Sequence, residues 1–389
     1  MARIISFRVD GLAGRNDIVS KTLHEDVNVF FGINGSGKTT LLKILHSALS
    51  TDTSILEGLP FKSAEVVIYL NRYESVFTRR IEQPSPRPED EEAAKSSAPL
   101  KERMGLRQLL GQTVKAATPA WTSDPEEPQS ERLTRYVAGY LPITRLYRTV
   151  GTQPSGTKAM SEDELDSRFA AAVQRRWTEY QGTISNRVSE AQGEGLAQIL
   201  HMVLSGEDES TEPDTALEIS DAYQRVASFL DRQTGFEEVL DSREEFEKKY
   251  RTKPRIKNVV KQIDLVEKKI EEVIAPRHRF QELLESMYSG SKRIVFSEKE
   301  ITIEVPDKTK IRLPALSSGE KQLFFISLEA IDSGNSSLII DEPELSMHVD
   351  WQKKLVGSLR VLNPRMQLIM ATHSPEIMAD LADEKIFSL

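Results

Sequence analysis

Hydrophobic and polar positions follow different periods in different parts of this chain. Residues 1–9 alternate apolar and polar side chains, which is typical of a half-exposed β-strand. Compact apolar runs at 26–31, 337–340 and 367–372 predict short strands covered on both faces, as the strands of a parallel sheet are. From residue 161 onward, apolar residues recur intermittently at helical spacing. We therefore expect strands alternating with helices near both ends of the chain and a mainly helical middle.

The helical middle is predicted to form a lid. Residues 161–164 resemble a capping box, which marks a helix N-terminus. A polar break covers 205–213, and helical periodicity continues over 215–250. Apolar residues three and four positions apart over 256–274 predict a short coiled-coil seam. Pro276 is expected to kink or end that helix, because proline removes one helix hydrogen bond and crowds the preceding turn.

Residues 32–39 fit the pattern G-x-x-x-x-G-K-[ST], which is typical of a phosphate-binding loop. The pattern lies between a predicted strand and an amphipathic helix that opens at Thr39; without that context it would read as a glycine-rich turn. Glycines allow backbone conformations in which N–H groups converge on phosphate oxygens. Lys38 is predicted to reach the β- and γ-phosphates of ATP, and the Thr39 hydroxyl to bind Mg²⁺. The predicted ATP-binding residues are Asn34, Gly35, Ser36, Gly37, Lys38, Thr39 and Thr40.

Two carboxylates and a histidine follow the later apolar strands. Asp341 and Glu342 come directly after 337–340, at the strand end that faces the ligand crevice of an open α/β sheet. Asp341 is predicted to hold Mg²⁺, and Glu342 to orient or deprotonate an attacking water. His373 follows 367–372 and is predicted to sense the γ-phosphate or that water. Each motif alone would be an ordinary strand end; beside a phosphate-binding loop they indicate catalysis.

Taken in order with residues 316–322, these motifs resemble the ABC-type ATPase head of SMC-like proteins. Within that group they look most like the small bacterial ATPases of the OLD, RecF and PtuA (Septu) kind. The resemblance covers 1–83 and 290–389. It implies an α/β fold, an ABC-type P-loop ATPase head with a mixed core sheet and flanking helices. A large, mainly helical insertion with a short coiled-coil hairpin would interrupt that head. It also implies an enzyme that hydrolyses ATP to ADP and phosphate.

The resemblance gives a second role to Ser317, Ser318, Gly319 and Glu320. A helix is predicted to run from Glu320, with a serine near its N-cap. In the family, this helix N-terminus contacts the γ-phosphate bound to the other subunit, so that two heads enclose two ATP molecules. The resemblance therefore implies a homodimer or a higher homo-oligomer. Without the other motifs, the same residues would read as a plain Ser-Gly turn.

One family element has no clear counterpart. These ATPases usually carry a glutamine after an early strand, which links the nucleotide to the inserted domain. The strand end at 140–145 offers Arg145 instead. Gln153 and Gln181 remain as alternatives, and the residue that replaces this glutamine is left open.

Composition shifts divide the chain into four segments. Residues 1–83 are predicted to form the N-terminal half of the ATPase head, and 84–160 a loop-rich, partly disordered connection containing proline-rich, acidic stretches. Residues 161–289 would form the helical lid, and 290–389 the C-terminal half of the head.

Composition also limits the possible cysteine-based sites and the cellular compartment. The chain has no cysteine, which excludes disulfides, thiolate metal sites and a cysteine-based zinc hook. It has no apolar run as long as a membrane span and no signal-peptide pattern at its start, so we expect a cytoplasmic protein without a membrane partner.

Contact with nucleic acid is open. The net charge of −9 provides no global attraction to DNA. A basic run over 248–261 would bind phosphates in a salt-sensitive, sequence-independent way. The alternative is a solvated helix face balanced by Glu244, Glu245 and Glu247.

Three functions are compatible with these motifs. The first is an ATPase that controls a separate effector, such as an HNH or TOPRIM nuclease, in bacterial anti-phage defence. No nuclease signature is visible, and the sequence after His373 is too short for the TOPRIM domain of OLD nucleases. The second is a RecF-like repair ATPase that clamps DNA. The third, the nucleotide-binding subunit of a transporter, is disfavoured by the large insertion. The sequence does not identify the trigger or the effector.

Overall fold

The structure is a computed structural model of the 389-residue chain. It describes residues 2–71, 73–83, 119–125, 139–142, 162–205, 217–231, 242–288, 292–297, 301–305, 307 and 309–389. The chain divides into two compact units. Met1–Ala170 together with Leu313–Leu389 form the first unit, and Ala171–Arg312 form the second.

Strands and helices are numbered in chain order. The strands are β1 (Ala2–Asp10), β2 (Ile18–Thr22), β3 (Val27–Phe31), β4 (Ser63–Leu70), β5 (Ser75–Glu82), β6 (Thr122–Asp124), β7 (Gly139–Pro142), β8 (Arg293–Phe296), β9 (Ile301–Glu304), β10 (Lys310–Ile311), β11 (Ser337–Asp341), β12 (Gln367–Thr372) and β13 (Ile386–Ser388). The helices are α1 (Lys38–Ser50), α2 (Glu162–Ser205), α3 (Ile219–Asp231), α4 (Arg243–Thr252), α5 (Pro254–Met287), α6 (Ser318–Asp332), α7 (Val349–Leu362) and α8 (Pro375–Met378).

The first unit contains a five-stranded parallel sheet in the order β13-β3-β12-β11-β7. Every residue of β11 and β12 is buried, and so is every residue of β3 except Phe31. Strands covered on both faces need apolar side chains on both faces, which is why these segments lack alternation. The three apolar runs predicted to be buried strands are therefore confirmed.

A second sheet in this unit is antiparallel, in the order β2-β1-β4-β5-β6. Its buried face and that of the parallel sheet share one hydrophobic core with α1. Phe7 and Val66 come from the antiparallel sheet, Leu41 and Leu45 from α1, and Ile339 from the parallel sheet. Helix α1 is thus fixed by both sheets, and the loop that precedes it inherits that fixed position.

A buried glutamine joins the two sheets. The carboxamide of Gln367, at the start of β12, accepts the Ile4 N–H at 2.9 Å and donates to the Ile4 carbonyl at 2.8 Å. It also accepts the Ser337 hydroxyl of β11 at 2.7 Å. The strand register of β1 shifts between Ile4 and Ser6, so this backbone needs a partner outside its own ladder. A buried polar group is tolerated when it is fully hydrogen-bonded in this way.

Arg79 holds the C-terminal end of α1. Its side chain is almost completely buried, and its guanidinium donates to the carbonyls of Ala48 and Leu49. Those carbonyls lie in the last turn of the helix, where backbone acceptors lack intrahelical partners and a cation complements the helix dipole.

The second unit packs helices around their own core. Residues of α3, α4, α5 and the part of α2 after Ala171 contribute to it, among them Ala191, Phe229, Phe246 and Ile263. Its short antiparallel sheet has the order β10-β9-β8. At Gly195 of α2, an added Cβ would lie 2.1 Å from Val266 of α5, so the backbone of α2 approaches α5 closely at this point.

Helix α5 does not end at Pro276. The predicted seam is present, with Val260, Ile263 and Ile270 buried on one face. The helix continues beyond the proline to Met287, and Phe280 and Leu284 of its last turns are fully buried. Burial of these side chains offsets the hydrogen bond that proline removes.

The predicted α/β class with a large helical insertion is confirmed by this architecture. The four segment boundaries remain predictions, and most of the predicted connection at 84–160 lies outside the described residues. Among the helices that the structure describes, none combines the length and apolarity needed to cross a membrane.

Candidate nucleotide site

Three strands bring the predicted motifs to one edge of the parallel sheet. Strand β12 lies between β3 and β11, and Ala371 pairs with Phe30 on one side and with Asp341 on the other. The three strands therefore end at the same level. The phosphate-binding loop follows β3, His373 follows β12, and Glu342 follows β11. Carboxyl ends of parallel strands are where open α/β sheets bind ligands.

Two glycines give the phosphate-binding loop its shape. Gly35 and Gly37 have φ values of 83° and 98°, in the left-handed region that disfavours residues with a Cβ. At Gly37 space is also restricted, because an added Cβ would lie 3.0 Å from both Ala13 and Leu12. The loop conformation thus depends on backbone freedom and on close approach to the segment after β1.

The loop presents uncapped backbone donors at the start of α1. The N-cap residue is Gly37, which supplies no side-chain cap, and α1 begins at Lys38. The first N–H groups of a helix point along a dipole that favours anions. The Ser36 hydroxyl is buried and has no hydrogen-bond partner among the described residues, while the Ser36 carbonyl accepts the Arg15 guanidinium at 2.9 Å. These donors fit the phosphate groups of ATP.

Lys38 is buried at the centre of this arrangement. Only 5% of the residue is exposed, and its ammonium donates to the carbonyls of Gly32 at 2.8 Å and Ile33 at 3.2 Å. Burial lowers the pKa of Lys38, whereas the carboxylates of Glu342, Asp341 and Glu344 raise it. An ammonium held by neutral carbonyls gains more from charged phosphate oxygens, since ion-assisted hydrogen bonds are the stronger ones.

Thr39 and Asp341 meet where Mg²⁺ is predicted. Asp341 is 7% exposed, and burial raises the pKa of its carboxyl while a hydrogen bond from Thr39 opposes that shift. Its Oδ1 atom has no hydrogen-bond partner among the described residues. One hydroxyl and one carboxylate fit Mg²⁺, which takes few protein ligands and completes its shell with phosphates and water. No group of three or more metal-binding side chains occurs in the described part of the chain.

Glu342 and His373 face each other beside this pair. The distance from His373 Nε2 to Glu342 Oε1 is 3.7 Å, and each side chain is about one third exposed. Glu342 has a φ of 53°, and its N–H donates to the Ala371 carbonyl at 2.8 Å. A non-glycine residue in this conformation is strained by roughly 1–2 kcal/mol, and such strain is often found at functional sites. A base and a histidine in contact are suited to positioning and deprotonating water.

The predicted helix after Gly319 starts earlier than expected. Helix α6 begins at Ser318 rather than Glu320, because Ser317 and Glu320 form a capping box. The Glu320 carboxylate accepts the Ser317 N–H at 2.6 Å, and the Ser317 hydroxyl accepts the Glu320 N–H at 3.3 Å. Ser318 and Gly319 therefore lie in the first turn. Their contact with ATP of another subunit stays a prediction.

Sequence reasoning missed the residues that fix the turn at 343–347. Glu344 accepts the His373 N–H at 2.6 Å, and Gln322 of α6 donates to the Pro343 carbonyl at 2.5 Å. An added Cβ at Gly319 would lie 2.3 Å from the Ser346 carbonyl. No sequence pattern signals these contacts, because the partners are far apart in the chain and meet only in the folded unit.

The residue that replaces the missing glutamine stays open. Gln181 lies on α2 in the second unit, where it accepts a hydrogen bond from Arg277 at 3.4 Å. Arg145 and Gln153 lie outside the described residues.

More than half of the chain matches one protein family. Residues 178–379 match the family described as AAA domain, putative AbiEii toxin, Type IV TA system. The chain belongs to this family of AAA-domain proteins. The matched region includes α6, Asp341, Glu342 and His373, while the phosphate-binding loop lies upstream of it.

Individual proteins also resemble parts or all of this chain. A stretch of 95 residues is 30% identical to the Retron Vc95 probable ATPase of Vibrio cholerae serotype O1 biovar El Tor, covering 21% of this chain and 18% of that protein. The match therefore spans about a fifth of the relative's length. The Smc head domain with an extended coiled coil from Pyrococcus furiosus is 15% identical, with a TM-score of 0.44 over 97% of this chain and 92% of that one. The SMC head domain of Thermotoga maritima is 13% identical, with a TM-score of 0.39 over 97% of this chain and 91% of that one. The fold assignment rests on strand order, and the OLD, RecF and PtuA resemblance remains a prediction.

Proposed function

We propose that this protein binds and hydrolyses ATP, dimerises around it, and thereby controls a separate effector, a nuclease, in bacterial anti-phage defence. The observation that carries the proposal is the convergence of Lys38, Asp341, Glu342 and His373 at one sheet edge. A structural turn would not need a buried ammonium facing three carboxylates.

Each residue has a distinct role in the proposed reaction. Lys38 and the N–H groups at the start of α1 bind the phosphates. Thr39 and Asp341 would hold Mg²⁺, which would supply positive charge to offset that of the phosphates. Glu342 accepts a proton from the attacking water, and His373 orients that water or the γ-phosphate.

Dimerisation around ATP is supported by the chemistry of the exposed edge. Ser318 is exposed in the first turn of α6, whose N–H groups favour an anion supplied by another copy, while Gly319 in the same turn is buried. Large apolar side chains near the site are exposed: 81% of Ile33, after β3, and 38% of Leu345 and 45% of Val349, after β11. A second head placed on this edge would cover them.

Control of another component is supported by the relatives. The family description names a putative AbiEii toxin and a Type IV TA system, and one relative is named as the probable ATPase of a retron. Both names refer to multi-component settings rather than to a lone metabolic enzyme. We propose in addition that the controlled effector is a nuclease and that the system acts in anti-phage defence.

The first substitution tests nucleotide binding. Lys38→Ala is expected to abolish nucleotide binding, measured by calorimetry with ATP and Mg²⁺. Lys62→Ala is the matched control, because Lys62 is exposed and pairs only loosely with Asp10 at 3.9 Å. Unchanged ATP affinity in Lys38→Ala would reject the phosphate-binding assignment.

Glu342→Gln is expected to keep ATP bound and to accumulate dimers or higher oligomers, because it preserves shape and removes the base. Size-exclusion chromatography with light scattering measures this in the presence of ATP. A variant that stays monomeric while saturated with ATP would reject the shared-site mechanism.

Co-purification with the product of the neighbouring gene tests whether this protein binds a separate effector.

A RecF-like DNA clamp is the alternative function, and the basic run favours it. The run lies on the second half of α4 and the first turns of α5. Glu247, one of the acidic residues beside the run, pairs with Arg243 at 3.4 Å. Charge reversal at Lys253, Arg255 and Lys257 would weaken DNA binding and flatten its salt dependence. The control reverses Lys353 and Lys354, which are exposed on α7. Equal DNA binding by both variants would assign the run to a solvated helix face.

A further inference from the structure

Glu344 joins the turn after β11 to the histidine after β12. Its Oε1 accepts the His373 main-chain N–H at 2.6 Å. Its Oε2 is buried and has no hydrogen-bond partner among the described residues. Burying a carboxylate oxygen without a hydrogen-bond partner is energetically unfavourable. The placement of Glu344 therefore points to a functional role rather than to a gain in stability.

The hydrogen bond between Glu344 and His373 lies at the C-terminal end of β12. His373 is the first residue beyond the strand, and its ring nitrogen Nε2 lies 3.7 Å from Glu342 Oε1. The next residue is fixed as well, because the Ser374 N–H donates to the Thr372 hydroxyl at 2.9 Å. The main chain that carries the imidazole is thus determined by side-chain bonds rather than by the sheet ladder.

The turn at 343–347 is itself held from two helices. Gln322 of α6 is buried and donates to the Pro343 carbonyl at 2.5 Å. Gln352 of α7 donates to the Met347 carbonyl at 2.8 Å. The backbone that carries Glu344 is therefore held by hydrogen bonds from two helices. These bonds fix the position of the Glu344 carboxylate relative to His373.

Gln352 reinforces the same alignment. Its Oε1 accepts the Ser374 hydroxyl at 2.7 Å while its Nε2 binds the turn. Two side chains, Glu344 and Gln352, thus bridge the turn to consecutive residues after β12. The geometry requires a hydrogen-bond acceptor at 344 and does not require a full charge there.

We propose that Glu344 is a positioning residue for ATP hydrolysis: it fixes the backbone at His373 so that the imidazole meets Glu342. This inference rests on the proposed ATPase function. A positioning role predicts that glutamine, which keeps an acceptor oxygen, preserves activity and that alanine does not. A chemical role for the carboxylate predicts that both substitutions fail equally.

The hydrogen bond is tested first, without turnover. Protein labelled with ¹⁵N-histidine carries six labelled amides, and the His373 signal is assigned by its loss in His373→Ala. We expect this amide to be far downfield and slow to exchange in wild type and Glu344→Gln, and to move upfield in Glu344→Ala. An unmoved signal in Glu344→Ala would overturn the inference whether or not the protein hydrolyses ATP.

Kinetics test the consequence. Misplacing a catalytic group by about 1 Å costs on the order of a hundredfold in rate, so Glu344→Ala is expected to lose roughly that factor in kcat with little change in ATP affinity. Glu344→Gln should stay within severalfold of wild type, and exposed Glu57→Ala is the control. Equal losses in Glu344→Gln and Glu344→Ala would overturn the positioning role. Absence of turnover in wild type would instead reject the proposed function, and the amide signals would still report the bond.

Discussion

The contact between Gly319 and Ser346 permits a sharp test of how α6 is seated. Gly319 lies in the first turn of α6, and its φ is outside the left-handed region, so its backbone accepts alanine. The obstacle is space: an added Cβ would lie 2.3 Å from the Ser346 carbonyl oxygen. A backbone carbonyl cannot rotate away as a flexible side chain can, so helix and turn must separate by about 1 Å to restore ordinary contact.

The magnitude follows from two opposing effects. Replacing glycine by alanine within a helix stabilises by up to about 1 kcal/mol. Overpacking a tight contact costs about 1–3 kcal/mol. We therefore expect Gly319→Ala to destabilise the protein by roughly 1–2 kcal/mol. ATP turnover should fall by a larger factor than ATP binding, because the displaced turn carries Glu344.

Gly357→Ala is the matched control. Gly357 lies in α7, and no atom lies within 4 Å of the position its Cβ would occupy. The same substitution should therefore stabilise by about 0.5–1 kcal/mol. Thermal and urea unfolding, followed by circular dichroism, compare the two variants. If Gly319→Ala proved as stable as Gly357→Ala, α6 would not be pressed against the turn, and the argument would be refuted.

Two further predictions concern stability. Arg79→Met should cost about 2–3 kcal/mol, because it leaves buried carbonyls at the end of α1 without a charged donor. Arg80→Met should lower the melting temperature much less, since Arg80 pairs with Glu65 at the surface, and equal melting temperatures of the two variants would contradict this. Burial lowers the pKa of His46 to about 4. The unfolded chain therefore binds this proton more readily, so stability should fall by up to roughly 3 kcal/mol as pH drops from about 6.5 to 4. Urea titrations of wild type and His46→Gln across that range measure it, and parallel curves would refute it.

The strands and the phosphate-binding loop were predictable because their signals are local. The runs that became β3, β11 and β12 are apolar on both faces, and the loop pattern of 32–39 specifies its own backbone. The roles of Glu342 and His373 were inferred from their places after those strands.

Contacts between distant segments were not predictable. The Gln367 bridge joins backbone more than three hundred residues away, and nothing near residue 344 shows that its carboxylate reaches His373. Of the two outcomes predicted for Pro276, an end of α5 is excluded, because the burial of Phe280 and Leu284 outweighs local proline chemistry, and a kink stays a prediction. Such outcomes depend on tertiary packing, which a single sequence does not display.

The electrostatics of the site link nucleotide to metal. The carboxylates of Asp341, Glu342 and Glu344 act on the ammonium of Lys38, and all three raise its pKa. Burial disfavours the charged form of both groups, so it lowers the pKa of Lys38 and raises the pKa of Asp341. Lys43 also acts on Asp341 and lowers the pKa of its carboxyl. A bare triphosphate would nevertheless add negative charge beside the three carboxylates, and burial would magnify that repulsion. Thr39 and Asp341 would hold a divalent cation, whose positive charge would offset that repulsion. We therefore predict that ATP binding at this edge depends on Mg²⁺.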